Sequence, residues 1–252
     1  MFQINLAHKI AWVTGASRGI GRSIAITLAE LGCDVAVGFN TRKDGAVAVA
    51  EEIKKLGRRA VIVGGDMGIE GDVVKMHEAI EAELGTVDIL INNAGTIADN
   101  LFLSLEDGDW KKVIDANIMG VVYATKVVMR GMMMKRSGRV VNMSSVAATK
   151  GGRGQANYAA TKGAVESMTR SLATEFASRG ITVNCIAPGV IETDMSKEII
   201  SLGKDEILLR QLIKRFGRAD EIAGWVAMLV SQEFGGFMTG QVIHVDGGVK
   251  MA

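Results

Sequence analysis

The chain has 252 residues, 48% of them hydrophobic, with 29 basic and 28 acidic side chains and a net charge of +1. That length suits one large α/β domain with a sizeable core, and the charge balance gives no broad footprint for nucleic acid or an anionic membrane. No apolar run approaches the ~20 residues that cross a bilayer, MFQINLAHKIAWVTG lacks the design of a signal peptide, and Cys33 and Cys185 fit neither a CxxC nor a metal pattern, so a cytoplasmic protein with two buried free thiols is expected.

Short β-branched runs alternate with longer helical patterns, which predicts repeated βαβ units around a parallel sheet. Ile10–Thr14 reads as the first strand and Ile20–Leu31 as the first helix. Between them lies Thr14-Gly-Ala-Ser-Arg-Gly-Ile-Gly21, with glycines that let the backbone turn tightly and a pyrophosphate approach the helix N-terminus. Its spacing is GxxxGxG and not GxGxxG, but a strand before it and a helix after it favour nucleotide binding over an ordinary turn. Val35–Gly38 and Ala60–Val63 are the next strands, followed by helices Gly45–Leu56 and about Asp72–Leu84. Ile89–Asn92 is the fourth strand, and a long helical region from about Trp110 to Lys135 leads to the fifth, Arg139–Met143. A helix carrying Tyr158 runs to about Ser178 with an apolar stripe of Val165, Met168, Leu172 and Phe176. Thr182–Ala187 and Val242–Val245 complete about seven strands. No linker, repeat or low-complexity segment interrupts residues 1–252, so a single domain is expected.

Tyr158 and Lys162 stand four residues apart and leave one helix face. An ammonium beside a phenol favours the phenolate, lowering a pKa that is ordinarily roughly 10 and making the group usable in proton transfer. Ser145, thirteen residues earlier and just past a strand, can present its hydroxyl to the same substrate oxygen. Taken alone, this spacing is weak evidence.

In order along the chain, TGASRGIG, Asn92-Asn-Ala-Gly95, Asn117, Ser145, Tyr158-x-x-x-Lys162 and Pro188-Gly189 resemble the short-chain dehydrogenase/reductase superfamily over essentially the whole length. Within it, GQANYAATKGAVESMTRSLATEFASRGITVNCIAPGVIETDM and TGQVIHVDGG are most similar to 3-oxoacyl-[acyl-carrier-protein] reductases. The resemblance implies a three-layer, doubly wound Rossmann-type sheet, hydride transfer from a nicotinamide, and a homotetramer built on the long helices. It implies that Tyr158 donates a proton to the nascent alkoxide, Lys162 holds the nicotinamide ribose, and Ser145 hydrogen-bonds the substrate carbonyl. Asn117 would interrupt its helix and hold a water linking Lys162 to solvent. Around the cofactor it places Gly15, Ser17, Arg18, Gly19, Ile20 and Gly21 at the pyrophosphate turn, and Asp66 with Met67 at the adenine. Asn93 and Gly95 would line the adenosine side, while Ile191 and Thr193 meet the carboxamide. NADPH is expected over NADH, because the second strand ends at Phe39 without a carboxylate and Arg18, Asn40, Thr41 and Arg42 can bind a 2′-phosphate.

The implied activity is NADPH-dependent reduction of a 3-oxoacyl thioester on an acyl carrier protein, in fatty-acid or polyketide/polyene biosynthesis. An acetoacetyl-CoA reductase or small-molecule alcohol dehydrogenase is the rival enzyme, and a non-catalytic dinucleotide-binding regulator the rival of another class. Arg136 and Arg179 match arginines that dock the carrier near the active-site mouth of such reductases, although as helix-end cations they would equally serve a dipole. Two departures concern the substrate: Ala98 stands where a basic residue is usual, and a mobile lid at about 196–216 ends in QLIKRFGRADEIA without prolines. His8, His77 and His244 show no ligand spacing, so no metal is expected. Met132–Met134 read as packing, and Lys54, Lys55, Arg58 and Arg59 as helix-end cations.

Overall fold

Ile10–Val13 is buried at every position, as befits a strand covered by helices on both faces, and it forms β1 at the middle of the molecule. The computed structural model describes residues 4–194 and 196–249; for 197–202 it describes the backbone alone. Six further parallel strands flank β1: β2 (Asp34–Phe39), β3 (Ala60–Gly64), β4 (Ile89–Asn92), β5 (Gly138–Met143), β6 (Ile181–Pro188) and β7 (Val242–Val245). Their order is β3-β2-β1-β4-β5-β6-β7. The chain winds outward from β1 in one direction, then returns to pair β4 on its other side. A crevice therefore opens past the carboxyl ends of β1 and β4, where such sheets bind ligands.

The helices form the outer layers. On one face, α1 (Gly19–Glu30) and α2 (Lys43–Lys55) close with α9 (Ala219–Val230) over Val13, Val35, Val37 and Ile91. On the other, α3 (Glu70–Glu83), α5 (Gly120–Lys135) and α7 (Ala156–Phe176) cover Trp12, Leu90, Val140 and Val183. Shorter or later helices complete the set: α4 (Asp107–Ile114), α6 (Ala147–Lys150), α8 (Lys197–Arg210) and α10 (Gln232–Gly235). No helix among the described residues is long and apolar enough to cross a membrane.

Cys33 and Cys185 are buried free thiols, as expected, and burial pushes both up to about 12. Arg58 and Arg59 depart from the expected dipole role. They turn back to Asp34 at the start of β2, with contacts of 3.0 and 2.8 Å, and tie the second strand to the third. Met132 is fully buried, whereas Met134 is exposed, so the methionine run is only partly packing.

The predicted long helix is broken at Asp115–Met119, one π turn between α4 and α5, with Asn117 buried inside it. The predicted lid falls largely on α8, whose backbone kinks at Gly203; the side chains of 197–202 lie outside the described residues.

Candidate active site

The first wall of the crevice is the glycine turn. Gly15 and Gly19 adopt φ of 63° and 57°, conformations that suit glycine. A Cβ on Gly21 would lie 2.4 Å from both the Asn93 amide nitrogen and the Gly15 carbonyl, so no larger residue fits beneath the turn. The turn is fixed from β4. Thr14 Oγ1 accepts from the backbone N–H of Asn93 and Ala94 at 3.0 and 2.9 Å, and Asn93 Nδ2 donates to the Thr14 and Gly15 carbonyls at 2.9 and 3.1 Å. Asn93 thus lines the crevice as a clamp on the turn.

Gly95, expected on the adenosine side, also lines the cleft. A Cβ there would meet Asn117 Oδ1 at 3.1 Å and Lys162 Nζ at 3.6 Å, so its open side faces these two residues. Asp66 lines the cleft and caps its own loop, Oδ1 accepting from Gly68 N–H at 2.8 Å, with Met67 buried beside it.

Ser145, Tyr158 and Lys162 converge where β5 ends and α7 begins. Lys162 is buried, its Nζ donating to the Met143 carbonyl at 2.8 Å and lying 5.5 Å from the Tyr158 ring centroid. Burial lowers the ammonium to about 8. Burial also raises the Tyr158 phenol above its ordinary value, opposed by a hydrogen bond with Ser145 and reinforced by the charge of Asp99. The expected lowering of the phenol is therefore not a property of the chain by itself: Lys162 is held on a carbonyl, and desolvation wins.

Asn117 lies at the back of this group. Its Oδ1 accepts from Thr96 N–H at 2.8 Å, while Nδ2 donates to the Thr96 carbonyl at 3.0 Å and to Thr161 Oγ1 at 3.1 Å. A buried polar column, invisible in the sequence, aligns the helices behind it. Asn92 donates to Asn142 at 2.8 Å and Asn142 to Thr169 at 2.9 Å, linking β4, β5 and α7. Ser144, without an assigned role in the sequence, donates to the buried Glu166 at 2.7 Å. Helical spacing alone cannot reveal which polar residues of these elements point inward.

The whole cleft measures about 770 Å³. It brings together Gly15, Ser17, Arg18, Gly19, Ile20, Gly21, Asn40, Thr41, Arg42, Asp66, Met67, Asn93, Gly95, Ser145, Tyr158, Lys162, Ile191 and Thr193. Val249 also lines it; its carbonyl receives Lys150 Nζ, and Lys150 also pairs with Asp246 at 3.0 Å.

Arg136 and Arg179 are placed elsewhere. Arg136 precedes β5 and Arg179 precedes β6, whereas Ser145 and Pro188 lie at the other ends of those strands. A strand of this length spans roughly 20 Å, so the pair does not flank the mouth of its own chain's cleft. Arg136 instead donates to the Ser178 carbonyl at 3.0 Å, joining the ends of α5 and α7.

Comparison with known proteins agrees with this geometry. The family model for short chain dehydrogenase matches residues 9–202. The chain is 44% identical over 244 residues to the 3-oxoacyl-[acyl-carrier-protein] reductase FabG of Staphylococcus epidermidis RP62A, covering 97% of this chain and all of that one. It is 45% identical over 248 residues to FabG of Escherichia coli K12, covering 98% and 100%. A crystal structure assigned to a short-chain alcohol dehydrogenase of Sinorhizobium meliloti 1021 superposes with a TM-score of 0.91 at 34% identity, covering 97% of each chain.

Proposed function

The chain belongs to the short-chain dehydrogenase family, and on that premise we propose that it reduces the keto group of a 3-oxoacyl thioester with NADPH, the thioester being carried by an acyl carrier protein. The observation that carries the reading is the convergence of Ser145, Tyr158 and Lys162 at the end of a cleft whose other end is a glycine turn.

The residues fit a dinucleotide. The glycine turn that opens the first helix and the buried Lys162 amine both line the cleft, and offer donors to the pyrophosphate and the ribose that such a cofactor presents. When bound, the nicotinamide supplies the hydride. Ser145 and Tyr158 hydrogen-bond the substrate oxygen, and Tyr158 gives it a proton as negative charge develops. Lys162 holds a ribose hydroxyl and adds positive charge beneath the phenol. Asn117, buried in the π turn between α4 and α5, ties that turn to Thr96 and Thr161 behind the lysine.

NADPH preference follows from the end of β2. Phe39 is uncharged, and Arg18 and Arg42, each about half exposed, stand on the cleft beside Asn40 and Thr41. A 2′-phosphate meets donors there and no carboxylate at the strand end. The test is NADPH oxidation with one 3-oxoacyl group presented on carrier protein, on CoA and as the free acid. The expected order is thioesters well above free acid and NADPH well above NADH. Equal efficiency with NADH would overturn the cofactor assignment, and a faster free acid the thioester assignment.

A further inference from the structure

Five basic residues line the cleft, and the chemistry above uses three: Arg18, Arg42 and Lys162. The others, Arg153 and Arg210, line the cleft that holds Tyr158 and come to it from two separate elements. Arg153 belongs to the loop between α6 and α7, five residues before Tyr158; Arg210 is the last residue of α8. Both are exposed, and among the described residues neither side chain makes an ion pair or a hydrogen bond. The wall carboxylate Asp99 accepts from Gln155 Nε2 at 2.9 Å and forms an ion pair with neither arginine.

Both cations sit on held backbone. Asn100 N–H donates to the Gly154 carbonyl at 2.9 Å, and Asn157 Nδ2 to the Ala98 carbonyl at 2.8 Å, which fastens the Arg153 loop to the segment after β4. Past α8, Ile213 N–H donates to the Gly247 carbonyl at 2.9 Å, and Lys214 Nζ caps the Leu208 carbonyl at 2.9 Å. The lining also includes the apolar Val146, Ile207 and Val249. A molecule that reacts at Tyr158 and reaches this pair would carry its negative charge far from the reacting carbon, on a neutral linker.

Resting on the thioester reading above, we propose that Arg153 and Arg210 form a clamp for the phosphate at the end of a pantetheine arm. That arm has the required form: neutral amides between the thioester and a phosphate, which is a diester on a carrier protein and part of a diphosphate in CoA. Arginine suits the task because its planar fork matches pairs of phosphate oxygens.

The experiment compares kcat/KM for one 3-oxoacyl group on pantetheine and on 4′-phosphopantetheine, in the parent and in Arg153→Gln/Arg210→Gln. In the parent the phosphate should raise kcat/KM about tenfold, the size expected of charge-assisted contacts at an exposed site. In the double variant the ratio of the two substrates should fall toward one. Because the readout is a ratio, partial damage to the fold cancels. A ratio near one in the parent, or an unchanged ratio in the variant, overturns the clamp while leaving thioester reduction standing. No turnover of either thioester overturns that reading and the clamp with it. The CoA and carrier-protein thioesters separate the sources: a comparable loss on both supports the shared pantetheine phosphate, and a loss confined to CoA would assign the arginines to its nucleotide portion and overturn the proposal.

Discussion

At the scale of single residues, Tyr158 and Lys162 divide one task between two opposite responses to burial. The phenol is raised, so it remains an acid across the physiological range, and removal of its hydroxyl should be costly. Tyr158→Phe is expected to lower kcat by ~10²–10⁴ with cofactor affinity largely kept, measured by single-turnover reduction and by NADPH fluorescence titration. Near-parent turnover would place the acid elsewhere. The amine behaves differently, because burial brings it to about 8. Lys162 is charged below that value and neutral above it, and only the ammonium adds positive charge at the ribose. Thus kcat/KM for NADPH, which reports the free enzyme, should fall as pH rises through about 8. A profile flat to pH 9.5 would show that the free lysine keeps its proton.

At the scale of elements, the π turn Asp115–Met119 carries the clearest consequence. Asn117→Ala removes partners from both backbone groups of Thr96 and from Thr161 Oγ1 in a buried setting. Each unsatisfied buried group costs about 1–3 kcal/mol, so chemical denaturation should show a loss of a few kcal/mol at most after relaxation. Activity should fall further than stability explains, because Asn117 Nδ2 holds Thr161, the residue before Lys162, on the helix that carries the catalytic pair. Asn117→Asp, which keeps the acceptor to Thr96 N–H, should recover part of the stability; no difference between the two variants would deny that contact its role. This element also marks where the sequence was legible. The β-branched runs announced all seven strands within a residue or two, since period and burial agree there. The family motif, not the residues' own pattern, pointed to an interruption at Asn117. Nothing local pointed to α9, whose apolar Ile222, Ala223, Val226 and Val230 acquire meaning only against α1. Nor could spacing tell that Gly95 faces Lys162, or that Arg136 and Arg179 sit at the amino ends of their strands. Those facts depend on the direction of chain travel through the sheet.

At the scale of the whole molecule, the remaining question is how the apolar surface is covered. Much of the apolar content of α5 and α7 is already buried within the chain: Val121, Val128, Met129 and Met132 on one, Val165 and Ala173 on the other. What remains outward there is Met134 and, less fully, Met133, with Tyr123, Leu172 and Phe176 half-buried against the core. A second apolar area surrounds the sheet edge. Among the described residues β7 has a neighbour on one side only, Phe237 just before it is fully exposed, and Trp225 and Met228 on α9 are partly exposed. Edge strands and large exposed aromatics are normally covered. Two separate surfaces are also what a tetramer of closed two-fold symmetry uses, since one self-complementary contact makes only a dimer. The parent is therefore expected to be a tetramer by light scattering at micromolar concentration. Met134→Glu places a charge on the α5–α7 surface and Phe237→Glu on the β7 surface, and neither touches the cleft. Each alone should leave a dimer, and the two together a monomer. Assembly through α5 and α7 would also bring Arg136 and Arg179 beside a second copy, the only arrangement in which that pair could serve a cleft. A parent that is already monomeric would refute the assembly, and a tetramer that survives both charges would refute these two surfaces as its contacts.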